Sequence, residues 1–551
     1  MSKSQNIQLV QFNPQVGHIH ENSQRILEIV NDNKMKVPVL WVFPELCITG
    51  YPPEDLLMRD DFLLSVENAV ENIASNIDKD YLVLGTPIRS KDKIYNSAVV
   101  LHNRGILTKY HKQILPNYNV FDEKRYFSSG TGPCVFTIND INFGLTICED
   151  IWRTKPAQEA CDAGANIIIN INASPYDIAK YDLRRNVAGN RVSETKLPII
   201  YINQVGGQDE LVFDGSSFVL DSKNKLVTAM PSFEEAIENV QFSKDSGFIE
   251  YKNSKQSPSM EKLLYEALVC GTRDYVVKNG FSKAIIGLSG GIDSALTLSI
   301  AVDALGAENV TAVMMPSKYT SNVSKEDAEK LAKRLNVSYE VIPIENINKE
   351  YLLSLGQHFA NLPTDITEEN IQARIRGSLL MAFSNKFGSM LLATGNKSEF
   401  AVGYATLYGD MAGAFAPLKD VYKTDVYRLA KYRNSINSII PQRTIEREPT
   451  AELSFDQKDT DTLPTYSELD AILKRFIEED ASIDTIISDG YSEDIVRHIT
   501  SLVLSNEHKR RQSPPGIKIT ERAFGKGRRY PITSKFKGSD PNPEENQSRP
   551  E

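Results

Sequence analysis

The sequence predicts two α/β domains in tandem: a layered sandwich over residues 1–245 and a parallel-sheet domain over residues 261–538. Three observations carry this reading. Strand-like and helix-like runs interleave through the first half of the chain. A polar stretch without sustained periodicity then interrupts them, and beyond it strand and helix alternate regularly enough for βαβ units. The 551 residues exceed what one core usually organises, and two large α/β units accommodate them.

In the first half, residues 7–12, 39–43, 81–86, 94–101, 141–148, 166–171 and 198–203 have the β-branched and aromatic content of short strands. Helical periodicity falls between several of them, for example at 20–31 and 61–77. Residues 246–260 form the expected linker. Strands at 283–288, 309–315, 338–343 and 389–394 then alternate with helices from 293, at 324–335 and near 369–387. Residues 445–490 are acid-rich and read as a mobile segment followed by a helix. The polar, Pro-containing tail 539–551 reads as disordered.

Composition removes several functional classes. Hydrophobic residues make up 41 % and charged residues 24 %, which excludes fibrous and wholly disordered chains. A net charge of −10 argues against a nucleic-acid partner, because a duplex calls for a cationic face. No apolar run reaches the roughly 20 residues of a membrane span, and the N-terminus enters a strand-like run without a signal-peptide core. The expected location is the cytoplasm. The five cysteines are scattered and include no CxxC, so neither a disulfide framework nor a zinc site is indicated.

The sharpest local signal is Ser289-Gly290-Gly291-Ile292-Asp293-Ser294, between a strand and a helix. Two glycines allow close backbone approach to an anion, and the serines and the helix start supply donors. Asp293 adds a carboxylate where Mg²⁺ bridging phosphates would sit. No Walker A pattern occurs, since Thr394-Gly395-Asn396-Lys397-Ser398 lacks the first glycine. A G-x-G-x-x-G fingerprint is absent too, so a dinucleotide would bind as substrate and not as a Rossmann cofactor.

The hexapeptide resembles the pyrophosphate loop of the PP-loop ATP pyrophosphatases, which adenylate a carboxyl or carbonyl oxygen and release pyrophosphate. Its surroundings resemble NAD synthetase: Glu369-Asn370-Ile371-Gln372-Ala373-Arg374-Ile375-Arg376, Ala393 to Glu399, Tyr408-Gly409-Asp410 and Pro417 to Thr424 occur in that family's order. The resemblance implies an adenine nucleotide alpha hydrolase-like fold. It implies ATP as co-substrate at Gly287, Leu288, Ser289, Gly290, Gly291, Ile292, Asp293, Ser294 and Thr394. It places deamido-NAD at Asn370 and Glu399, and Mg²⁺ at Asp293 and Glu399. At Leu407 the ammonia-only relatives carry lysine, and leucine marks the glutamine-using branch. Residues 508–537 hold ten Lys/Arg and one acidic residue in an otherwise acidic chain. Within them His508 to Pro515 resembles the family's K-R-R-Q-x-P-P end, which adds Lys509 as a deamido-NAD contact.

In the first half, three segments place a reactive group at a strand end: Phe43-Pro44-Glu45-Leu46, Lys112 in Tyr110 to Pro116, and Cys148-Glu149-Asp150-Ile151-Trp152. A cysteine attacks an amide as thiolate, a carboxylate can take its proton, and an ammonium group stabilises the oxyanion. Beside Glu149 and Asp150 the Cys148 thiol needs a cation, which Lys112 would supply. Spacing alone does not bring the three together. Their order resembles the nitrilase superfamily, and within it the glutaminase domain of glutamine-dependent NAD(+) synthetase, with further matches at Tyr51 to Leu56, Asn119 to Glu123, Ile171 to Tyr176 and Asn203 to Asp209. The resemblance implies an α-β-β-α sandwich with Glu45 as base, Lys112 as oxyanion stabiliser and Cys148 as nucleophile. Tyr118, Ser174 and Lys180 become glutamine-binding residues. The Cys-His-Glu set of class-I amidotransferases has no matching histidine here.

The resemblance therefore implies a carbon–nitrogen ligase with glutamine as nitrogen donor, small-molecule substrates (L-glutamine, ATP, deamido-NAD), no membrane or nucleic-acid partner, and a homo-oligomer. The rival enzyme is a PP-loop amidotransferase acting on another carboxylate. A rival of another class is a nucleotide-sensing module tethered to an amidase, against which Ser289, Asp293 and Ser294 speak.

Overall fold

The structure is a computed structural model, and it describes residues 4–251, 258–360, 362–450, 452–454 and 463–536. The chain divides into two compact units, Met1–Pro258 and Ser259–Glu551.

In the first unit two sheets stack face to face. The larger runs edge to edge as Gly247–Phe248, Ala236–Ser243, Ser4–Gln11, Val39–Val42, Tyr81–Ser90, Lys93–His102 and Gly105–His111. The smaller runs as Leu226–Ala229, Phe218–Leu220, Ile199–Asn203, Ile167–Asn172, Ile141–Ile147 and Val135–Ile138. Central neighbours are parallel and outer ones antiparallel. The strand Ile167–Asn172 shows why isoleucines occur at consecutive positions. Ile167, Ile169 and Ile171 point between the sheets, while Ile168 joins Ala188 and Val192 of the helix Lys180–Thr195 on the outer face. Trp41, in turn, faces outward with residues of Ile19–Asp32 and Asp60–Asn76, and Leu40 and Val42 face inward. The layers are thus α-β-β-α.

The helices Thr154–Asp162 and Lys180–Thr195 complete the outer layers, and the second carries Arg184 and Arg191 buried on its inner face. One element of this unit departs from the sequence reading. The expected linker 246–260 begins inside the fold: Gly247 and Phe248 pair with Ser243 and Phe242, and Tyr251 Oη donates to Asp221 Oδ2 at 2.7 Å. Phe248 is drawn into the inter-sheet core, which outweighs the polar character around it. Residues 252–257 of that linker lie outside the described residues.

The second unit carries a parallel sheet in the order Ser338–Val341, Val310–Met314, Ala284–Gly287, Met390–Leu392. The chain order reverses between Ala284–Gly287 and Met390–Leu392, and ligands of such sheets bind at that switch, beyond the carboxyl ends of the strands. The helix Ile292–Leu305 starts there and is buried on most sides. In the stretch 445–490, read as a mobile segment followed by a helix, the described residues 463–490 hold three short helices. Tyr466–Leu473, the π-helical turn Lys474–Glu478 and Ile483–Ser488 pack with Glu493–Ser505 around Leu469, Leu473, Ile477 and Ile486. The apolar residues of three short helices, diluted by acidic ones, give no sustained 3.6-residue signal. Residues 455–462 and the tail 539–551 lie outside the described residues.

Candidate active sites

In the first unit Glu45 follows the strand Val39–Val42, Lys112 follows Gly105–His111, Cys148 follows Ile141–Ile147, and Ser174 follows Ile167–Asn172. Both sheets therefore deliver groups to one end of the sandwich. Cys148 has φ +45°, a left-handed conformation that a non-glycine residue holds only when its surroundings impose it. It opens a 3₁₀ turn, Cys148–Trp152, and its side chain is buried.

Lys112 Nζ donates to Glu45 Oε1 at 2.8 Å and to Glu123 Oε1 at 2.8 Å, with all three side chains buried. Glu45 Oε1 also accepts from Asn96 Nδ2 at 2.7 Å, and Oε2 accepts from the Ala173 amide at 2.8 Å. Burial opposes the Lys112 charge, but Glu123 and Glu45 hold it well above the ordinary ammonium range. Burial pushes the Cys148 thiol well up, Glu45 adds to that, and Lys112 pulls it back. The sulfur is thus a neutral thiol at rest, next to a carboxylate that can receive its proton and a cation that can face an oxyanion.

Around this centre Tyr118 Oη donates to Glu149 Oε2 at 3.0 Å, Arg184 Nε donates to Ser174 Oγ at 3.2 Å, and Lys180 Nζ lies 3.4 Å from Asp177 Oδ2. Phe121 touches both Tyr118, edge-on at 5.5 Å, and Lys180, whose ammonium is 5.5 Å from the ring centre. Tyr118, the most exposed of these, and Lys180 so form one rim, with Ser174 buried below.

In the second unit a cavity of about 290 Å³ opens at the switch point. Of the residues expected at ATP, Gly287, Leu288, Ser289, Gly291, Ile292, Asp293, Ser294 and Thr394 line it, as does Glu399. Ser289 Oγ accepts from the Gly291 amide at 3.2 Å and meets Ser294 Oγ at 3.0 Å, which holds the loop open around its own hydroxyls. Gly290 serves differently. With φ +86°, its Cβ would stand 2.3 Å from the Ser324 carbonyl, so the loop rests directly on the helix Asn322–Leu335.

Asp293 Oδ2 and Glu399 Oε1 converge on Lys423 Nζ, at 2.6 and 3.2 Å, and Asn396 Nδ2 donates to Asp293 Oδ1 at 2.9 Å. Burial opposes the Lys423 charge, but the two carboxylates raise it above the ordinary value. Arg376 also lines the cavity; burial lowers it to about 10, and Glu452 opposes that. Glu452 Oε1 accepts from Ser321 Oγ and Ser324 Oγ at 2.8 and 2.7 Å, and Arg447, Glu448, Pro449 and Thr450 line the same cavity. Residues read as part of a mobile stretch therefore form one of its walls.

Asn370 and Lys509 do not line the cavity. Asn370 Oδ1 accepts from Thr406 Oγ1 at 2.8 Å. Lys509 Nζ donates to the Gly403 and Ala405 carbonyls at 2.7 and 3.0 Å, so it fixes the backbone leading to Thr406. Within the basic stripe Arg510, Lys518 and Arg528 are buried, while Arg511, Lys526, Arg529 and Lys535 are exposed.

Comparison with known proteins resolves the two units separately and then together. The model of the carbon-nitrogen hydrolase family matches residues 6–245, and that of the NAD synthase family matches residues 264–513. The glutamine-dependent NAD(+) synthetase of Acinetobacter baylyi is 46 % identical over 98 % of this chain and 100 % of its own length; that of Xanthomonas campestris is 45 % identical over 97 % and 98 %. The chain belongs to the glutamine-dependent NAD(+) synthetase family. It is similar over 98 % of its length, at 44 % identity and a TM-score of 0.79, to the whole chain of the Acinetobacter baumannii glutamine-dependent NAD(+) synthetase solved with ADP. It is accordingly an enzyme, a nitrilase-superfamily domain fused to an NAD synthase domain with a PP-loop.

Within this family member, Glu123, Asn96, Lys423, Arg376 and Glu452 hold positions at the two sites for which the sequence reading proposed no role. Glu123, Arg376 and Lys423 stand inside the family's motifs. The convergence of Glu123 on Lys112 and of Lys423 on Asp293 is a property of the folded chain alone. No helix among the described residues is long and apolar enough to cross a membrane.

Proposed function

We propose that the chain makes NAD⁺ from deamido-NAD with glutamine as nitrogen donor, residues 1–245 acting as glutaminase and 261–538 as ATP-dependent synthetase. The observation that carries the reading is the buried Glu45–Lys112 pair at 2.8 Å with the Cys148 thiol in its field. Cys148 Sγ attacks the glutamine side-chain carbonyl as Glu45 takes its proton, and Lys112 faces the oxyanion. Glu45 returns the proton to the departing nitrogen, and ammonia leaves. Water, deprotonated by Glu45, then opens the thioester to glutamate and the free thiol. Tyr118, Ser174 and Lys180 hold the amino acid.

In the second unit a deamido-NAD carboxylate oxygen attacks the α-phosphorus of ATP, and pyrophosphate departs into the Ser289–Ser294 loop. Ammonia attacks the resulting acyl adenylate, AMP leaves, and the amide of NAD⁺ remains. Asn370, Glu399 and Lys509 serve deamido-NAD, the last through the 403–405 backbone it holds. Asp293 and Glu399 suit Mg²⁺: two hard oxygens converge on one cation, Lys423, and phosphates would complete the shell. The ion would neutralise charge on the departing pyrophosphate. The five free cysteines fit a cytoplasmic location, and exposed Leu353, Ile366 and Phe387 fit a homo-oligomer.

Mass spectrometry of products from deamido-NAD, ATP, Mg²⁺ and glutamine tests the proposal. NAD⁺, AMP, pyrophosphate and glutamate in equal amounts are expected. Absence of NAD⁺ would point the ligase at another carboxylate.

A further inference from the structure

One carboxylate in the first unit bonds to the backbone beside both reactive groups without being either. Asp150 Oδ1 accepts from the Gln113 and Ile114 amides at 3.1 and 2.9 Å, and Oδ2 accepts from Tyr110 Oη at 2.8 Å and from the Ile147 amide at 3.0 Å. Tyr110 and Gln113 bracket Lys112, and Ile147 immediately precedes Cys148. The first group comes from the edge of the seven-stranded sheet, the second from the six-stranded one. The Asp150 side chain has no exposed surface, and four donors occupy its oxygens. A residue serving only its own turn would need the Ile147 bond alone.

We propose that Asp150 is a positioning residue of the amidase, a clamp between the sheets that fixes the Lys112 backbone against the left-handed turn at Cys148. Burial raises its carboxyl to about 6, so at neutral pH it is the ionised, fully accepting form that holds the clamp. Asparagine has nearly the same shape but only one accepting atom. In Asp150→Asn the amide nitrogen would face either the Ile147 N–H or the Gln113 and Ile114 N–H groups, donor against donor. The strained φ of Cys148 and the placement of Lys112 then lose their common anchor.

The inference rests on the glutaminase reading, and the test separates the two. Full-length wild type, Asp150→Asn, Tyr110→Phe, the double variant and Cys148→Ala are assayed for glutamine hydrolysis and for synthesis from ammonium. Asp150→Asn should lose roughly 100-fold in glutaminase kcat, the cost of a displacement of about 1 Å, with KM for glutamine and ammonium-supported synthesis unchanged. Tyr110→Phe should lose less, and should cost nothing further once Asp150 is asparagine. The pH profile of Cys148 alkylation by iodoacetamide gives a readout that a loss of folded fraction would not move. Glu45, Lys112, Glu149 and Glu123 act on the thiol, and Asp150→Asn also removes a charge beside it, so the midpoint is read in Tyr110→Phe, where no charge is lost and a loosened Lys112 should raise it. Losses that multiply in the double variant, or an unshifted midpoint with near-wild-type kcat, would overturn the clamp. If Asp150→Asn does not fold, Tyr110→Phe decides, and an unaltered kcat refutes the proposal. Glutamine hydrolysis surviving in Cys148→Ala would instead refute the glutaminase reading.

Discussion

Lys112 Nζ lies 2.8 Å from Glu123 Oε1, and both groups are sealed from solvent. The ammonium is therefore shared by two carboxylates, of which Glu45 is placed to move a proton and Glu123 to hold the cation still. Tyr51 Oη adds a 3.0 Å hydrogen bond to the same Glu123 oxygen. Glu123→Gln keeps the shape and removes the charge that Glu123 carries once pH exceeds about 7. It should lower glutaminase kcat by roughly 10- to 100-fold, the worth of a charge-assisted hydrogen bond, and spare ammonium-supported synthesis. Comparing the two assays on one preparation checks this.

The same residue predicts a pH dependence of stability. Burial raises the Glu123 carboxyl from 4.5 to about 7, against the pull of Lys112. Between those values the folded chain binds a proton that the unfolded chain has released. Its stabilising contribution is then full below about pH 4.5 and is lost as pH rises through about 7. Denaturant midpoints measured at pH 5 and pH 8 should fall more in wild type than in Glu123→Gln. Equal falls would show that Glu123 does not titrate in this range.

How far the sites were legible before folding differs between the two units. Strands such as Ile141–Ile147 announced themselves by β-branched and aromatic residues in a short run. Cys148, Glu45 and Lys112 each follow a strand-like run, and it was the resemblance to the nitrilase superfamily that gave them roles, since nothing in their spacing brought them together. Glu123 sits in a loop with no periodic signal, and its role exists only where the loop packs beneath Lys112. The wall formed by Arg447 to Thr450 and Glu452 was hidden for another reason. Acid-rich composition reads as a solvated segment, while here Glu452 and Arg447 turn toward the Ser321 and Ser324 hydroxyls.

Gly290 gives a prediction about the pyrophosphate loop. Alanine there meets both a φ of +86° and a carbonyl 2.3 Å from its Cβ. Gly290→Ala should cut synthesis at least 10-fold with either nitrogen source, since strain of about 1–2 kcal/mol adds to the clash. Glutamine hydrolysis should remain. Pyrophosphate release is the readout, and wild-type release would remove the close approach from the account.

Asp293 joins the loop to Lys423 at 2.6 Å. Asp293→Asn weakens the hold on Lys423 and deletes one oxygen offered to a metal. Synthesis should fall equally with glutamine and with ammonium, and the Mg²⁺ concentration for half-maximal rate should rise. An unchanged Mg²⁺ requirement would argue that Asp293 acts through Lys423 alone.

The division of labour between the two units is tested most directly by Cys148→Ala, with NAD⁺ formation measured from glutamine and from ammonium salt on the same protein. The account predicts that the variant makes no NAD⁺ from glutamine and makes it from ammonium at the wild-type rate. Loss of both activities together, or retention of the glutamine-supported one, would contradict it.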